Sequence, residues 1–155
     1  MNSADLYSCN ILDGLTIKYN RTKTKDRRRD KAEIHVRVAE RIDGLFQKYR
    51  DNTGERVFRF HHLYADEKIF NAALNKGLKK IGKAVGVDNL EFYAARHSWA
   101  TIARNDLSID KNVINEALNH VDKNLSVTDL YIKKSFSAIN EANEKVIDYV
   151  FKGTR

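Results

Sequence analysis

The sequence has no proline and a single cysteine, Cys9. One cysteine excludes an intrachain disulfide and a zinc cluster built from cysteines, and it fits a reducing setting. With no proline and only seven glycines, the chain offers no linker or low-complexity segment, so a single domain over 1–155 is expected. No apolar run approaches the ~20 residues of a membrane span, and no internal repeat is visible. The opening MNSADLYSCN lacks the basic-then-apolar order of a signal peptide. What is present is a chain of 155 residues, 42% hydrophobic, long enough for a real core. Negative charge is the minority: 21 acidic residues against 28 Lys and Arg leave a formal charge of +7. Such a balance favours a polyanionic partner, nucleic acid before an anionic membrane surface. The plain alternative is a soluble protein that is merely basic.

Read in order, residues 1–8 look like the end of a helix, and Asn10–Gly14 is a turn signal. Leu15–Tyr19 and Ala32–Val36 alternate apolar and polar residues and predict two strands. Between them Arg21, Lys23, Lys25, Arg27, Arg28, Arg29 and Lys31 are offset only by Asp26 and Asp30. A hairpin with a cationic tip follows, suited to phosphate contact; a solvated charge run is the alternative. Val38–Tyr49 has helical spacing, with Val38, Ile42, Leu45, Phe46 and Tyr49 facing inward. Val57–Phe60 reads as a short strand or an extended loop. Asp66–Val85 is the clearest amphipathic helix, with Phe70, Leu74, Leu78, Ile81 and Val85 on one side. Lys76, Lys79, Lys80 and Lys83 lie on the other side, as a solvated face or as a ridge along a DNA backbone. Further helices are expected over Glu91–Arg104, after the caps Ser108 and Asp110, over Ser126–Lys134, and from Ser137 or Ala138 with Ile139, Ala142, Val146 and Val150 inward. The expected class is α+β, mainly α, with a small antiparallel sheet near the N-terminus.

Three side chains between Phe92 and Lys134 carry the most chemistry. Arg96 presents a planar fork of donors that suits a phosphate and its charged transition state. His120 can donate to a phosphate oxygen or move a proton, and the Tyr131 hydroxyl can act as a nucleophile. Each also has an ordinary reading: Arg96 paired with a carboxylate such as Glu91, His97 and His120 as helix-end or core histidines, Tyr131 as packing. Spacing alone does not join them into a site.

The surrounding text does carry a resemblance. Tyr93-Ala94-Ala95-Arg96-His97-Ser98-Trp99-Ala100-Thr101 resembles the second arginine motif of the tyrosine recombinases, the phage integrase family. Leu118-Asn119-His120 resembles that family's Leu-Gly-His motif, and Thr128-Asp129-Leu130-Tyr131 the segment bearing its nucleophile. Tyr19-Asn20-Arg21-Thr22-Lys23-Thr24 is similar to the hairpin that carries its catalytic lysine. Four motifs in the family's order span nearly the whole chain.

The resemblance implies site-specific recombination or integration of DNA, as in phages and other mobile elements. Tyr131 would attack the scissile phosphate, form a 3′-phosphotyrosine bond and release a 5′-hydroxyl. Lys23 would protonate that oxygen, with Lys25 as the fallback, while Arg96 and His120 hold the non-bridging oxygens. No cofactor and no metal would be needed. The partners would be double-stranded DNA and further copies of the chain, with the last helix docking in trans or packing at home, in the bacterial cytoplasm and away from any membrane. Position 93 is Tyr where the family more often has His, which puts a general-base role there in doubt. Asn119 stands where Gly is usual, and only the helix end should change. The family's first catalytic arginine is expected just ahead of text like Met1-Asn2-Ser3-Ala4-Asp5-Leu6, so the sequence is expected to lack that residue and the N-terminal DNA-clamping domain. Strand exchange by this chain should then be weak. The alternative is a non-catalytic DNA-binding module of the same fold.

Overall fold

A computed structural model describes residues 1–27, 30–120 and 135–153. The described residues are mainly helical, with one three-stranded antiparallel sheet. They fall into two compact units, Met1–His97 and Ser98–Arg155.

The first unit begins with α1 (Ser3–Ser8). Asn2 accepts from the Asp5 amide at 2.7 Å and Asp5 reaches back to the Asn2 amide at 3.5 Å, a reciprocal cap that satisfies two orphan donors. The helix therefore starts here, where the sequence suggested only a helix tail. β1 (Ile11–Asp13) and β2 (Thr16–Asn20) turn at Gly14, whose φ of 58° is open to glycine at little cost. β2 pairs with β3 (Glu33–Arg37) in the register Ile17↔Val36 and Tyr19↔Ile34. The hairpin is as expected; β1 adds a third strand where only a turn had been read. Ile17, Tyr19 and Ile34 bury one face of the sheet with Cys9, Val38, Phe46 and Val57.

Val38 sits in the core, but the helix expected from it starts later. A 3₁₀ turn at Glu40–Ile42 leads into α2 (Asp43–Tyr49). Counted from Asp43 rather than Val38, the inward positions take Phe46 and leave Leu45 58% exposed. Phe58 bridges to Arg50, and a 3₁₀ turn at Arg59–His62 follows. α3 (Glu67–Val85) has both predicted ends: Asp66 accepts from the Lys68 and Ile69 amides, and Gly86 closes the helix with φ 75°. Phe70 anchors α3 against Phe60 at 4.8 Å and Tyr7 at 5.7 Å between ring centres. The apolar stripe is only partly covered, since Ile81 and Val85 are exposed.

In the second unit, α4 (Ala94–Thr101, which spans the division) runs into a π turn at Ile102–Asp106. Asp110 caps α5 (Lys111–Ala117), as expected. α6 (Phe136–Lys152) starts one or two residues earlier than expected because Ser135 accepts from the Ala138 amide. Ile139, Ala142 and Val146 are buried as predicted, but Val150 is exposed beside Tyr149 and Phe151. Ala103, Ile114 and Val146 form the core here, and Trp99 donates to Asn143 at 3.2 Å. No described helix is long and apolar enough to cross a membrane.

Candidate functional site

The first unit gathers cations where β2 leaves the sheet. Arg21 follows Asn20, the last residue of β2, and its amide donates to Ala32 across the hairpin at 3.1 Å. One residue later the Thr22 amide donates to Asp5 Oδ1 at 2.9 Å. Asp5 is 2% exposed, so one buried carboxylate caps α1 and fixes the base of the basic loop. Lys23, Lys25 and Arg27 continue from there with exposed side chains, the last two in a single 3₁₀ turn.

Arg96, the third residue of α4, reaches this neighbourhood from the other side of the unit's sequence. Its side chain is half-buried. Burial and the nearby Arg21 charge push its ionisation downward; Tyr93, which accepts a hydrogen bond from it, and Tyr19 oppose that shift. Glu91, the carboxylate considered for it from sequence, pairs instead with Lys79 at 3.4 Å. Tyr93 itself is exposed and packs edge-on against His97, ring centres 4.9 Å apart. The amino end of α1 opens onto the same place. Burial lowers the Met1 α-amino group, Asp5 opposes that, and Arg96 and Arg21 add to it. The Arg21 charge acting on the half-buried Arg96 guanidinium makes a region whose charge an anion would relieve.

His120 belongs to the second unit, where α5 ends in a Schellman motif. The His120 amide donates to Asn115 and the Asn119 amide to Glu116, both at 2.9 Å. That closure needs a left-handed residue, and Asn119 supplies it with φ 53°. Asparagine adopts this region more readily than most residues, which explains how it can stand where glycine is usual in the resembling motif. Asn119 is 5% exposed, and His120 next to it is exposed.

On α3, Lys76, Lys79, Lys80 and Lys83 line a shallow groove with Ala72 and Asn75. All four lysines are exposed, as the helical spacing predicted. Tyr131, Arg28 and Arg29 lie outside the described residues, as does the helix expected over Ser126–Lys134. The part Arg21 plays beside Arg96 was not legible in sequence, because 75 residues separate them; a basic residue directly after a strand was the only local signal.

Comparison with known protein families, with curated proteins and with solved structures finds no match.

Proposed function

We propose that this chain is the catalytic domain of a tyrosine recombinase that cleaves and rejoins DNA through a 3′-phosphotyrosine at Tyr131. The observation that carries the reading is Arg96: it lies in the arginine-motif run, half-buried, with Arg21 adding a second positive charge and Tyr93 accepting its hydrogen bond. In water a guanidinium is well solvated and gains little from a phosphate. Partly withdrawn from water beside a like charge, it gains more, and most when charge builds on the non-bridging oxygens. The basic loop after Arg21 and the lysine face of α3 support duplex DNA as the partner, since both present several cations to solvent.

In this mechanism the Tyr131 hydroxyl attacks phosphorus, and its proton passes to solvent water as the phosphotyrosine bond forms. The bond to the 5′-oxygen breaks, and Lys23, with Lys25 as the fallback, supplies the proton that makes a 5′-hydroxyl. Arg96 and His120 act on the non-bridging oxygens. Rejoining reverses each step with another 5′-hydroxyl, so the bond energy is kept and no nucleotide is consumed.

The test is covalent capture on a pool of randomised duplexes, each nicked so that cleavage releases a short fragment and cannot be reversed. A DNA–protein adduct is expected. It should vanish in Tyr131→Phe and fall at least ~100-fold in Arg96→Lys, which keeps the charge but loses the fork. DNA binding without any Tyr131-dependent adduct would identify a non-catalytic DNA-binding module instead.

A further inference from the structure

The segment between α2 and α3 holds a cluster that shares no residue with the proposed DNA site. Asp51 is buried, with its side chain 1% exposed. Its Oδ1 accepts from the Thr53 amide at 3.1 Å, and its Oδ2 from the Thr53 hydroxyl at 2.7 Å and the Arg56 amide at 3.1 Å. Burial alone would raise this carboxyl; these hydrogen bonds and that from His62 outweigh it and hold it well below the usual carboxylate range. Two histidines face it from the 3₁₀ turn. His62 Nε2 is 3.0 Å from Asp51 Oδ1, and His61 Nε2 is 3.7 Å from Oδ2. His61 Nε2 is also 3.2 Å from Glu55 Oε2.

His61 is the telling member. Its side chain is 9% exposed, and its Nδ1 is 3.1 Å from the Phe58 carbonyl oxygen. A carbonyl only accepts, so Nδ1 carries the proton, and in neutral imidazole Nε2 is then a lone pair. That buried Nε2 makes no hydrogen bond. It faces two carboxylates, and the His62 ring stands 3.8 Å away, centre to centre. A lone pair turned towards anions is unfavourable unless a cation lies between them. A metal-bound histidine characteristically donates its other nitrogen to a backbone carbonyl, as His61 Nδ1 does here. Donors at ~2.0–2.1 Å from a tetrahedral ion stand roughly 3.3 Å from one another. The gaps of 3.0, 3.2 and 3.7 Å surround that value.

We propose that His61, His62 and Asp51 bind one divalent ion of the zinc class, with the exposed Glu55 as fourth ligand. The ion would sit where His62 now touches Asp51, leaving the three Asp51 contacts to Thr53 and Arg56 in place. Both imidazoles stay neutral, and two carboxylates balance the charge. With one ligand from the loop after α2, one from its far side and two from the turn before α3, the role is structural: it closes residues 51–62 into a ring.

The test titrates the full chain, stripped with a chelator and dialysed, first with Co²⁺ and then with Zn²⁺. One equivalent of Co²⁺ should give the intense visible bands of a tetrahedral ion, and Zn²⁺ should displace it. Zn²⁺ at a hundredfold excess over its Kd should raise the melting temperature by roughly 5–10 °C. Because His61 is buried, its variants can fail to fold; His62→Gln, at a side chain 42% exposed, should fold and weaken binding at least ~100-fold. His35→Gln, at a histidine paired with Glu33 on β3, should bind as the parent does. Absence of a one-equivalent site, or Zn²⁺ affinity unchanged in His62→Gln, would overturn the proposal.

Discussion

Single residues here hold unusual backbone or ionisation states, and each has a measurable consequence. Asn119 is the left-handed closing residue of α5. A β-branched side chain tolerates that conformation poorly, at ~1–2 kcal/mol, whereas glycine adopts it freely. Asn119→Val should therefore lower unfolding free energy by at least about 1 kcal/mol in denaturant titrations, and Asn119→Gly should cost far less. Cys9 makes a different prediction. Burial pushes its thiol from 9.0 up to about 12. Tyr19, also buried, is pushed up from its ordinary value for the same reason. A group whose pKa is raised by folding binds its proton more tightly in the native state. Its contribution is complete below pH 9 and is lost as pH rises towards 12. Stability should fall over that window by up to about 1.4 kcal/mol per pH unit for each such group. Cys9→Ala should remove one share of the fall, seen as a shallower slope in alkaline denaturation.

At the scale of elements, α3 has two unlike faces. Its apolar side is anchored at Phe70 and loosens towards Ile81 and Val85, while its lysine side is open to solvent. If those lysines meet phosphates, each contact releases counterions, and the loss on substitution should be the same for every sequence. Changing Lys76, Lys80 and Lys83 to Gln together should weaken duplex binding evenly and flatten the plot of log affinity against log salt by up to about 2–3 units. Unchanged slope would mark the face as merely solvated. α3 was also the element most legible in sequence, because its cap residues Asp66 and Gly86 and its period of 3.6 are local properties. α2 was less so: the run from Val38 carries helical spacing, yet the chain stays extended at Ala39 and enters a 3₁₀ turn before α2 begins. β1 was hidden by the Asp13-Gly14 signal, which marks its turn but outweighed three residues of strand.

Across the whole molecule, the parts written in consecutive residues could be read and the parts made by folding could not. The hairpin and its cationic loop were visible because each is a stretch of text. The proximity of Arg21 to Arg96, and of Asp51 to His61 and His62, depends on loops and helices that bring distant residues near, and no spacing rule predicts it. The charge of +7 belongs to the same scale, since it steers any polyanion towards the chain before a contact forms.

The double duty of Asp5 extends beyond the placement of charges. One carboxylate closes the first turn of α1 and holds the Thr22 amide, so the start of the helix and the root of the basic loop share a hinge pin. Pulling that pin should loosen both. In Asp5→Ala, hydrogen exchange at the Thr22 and Asn2 amides should quicken together, while the sheet pairing at Ile17 and Tyr19 keeps its protection. A ligand that stiffens the loop would, through the same pin, steady the amino end of the chain beside Arg96, so grip at one place would be felt as order at the other.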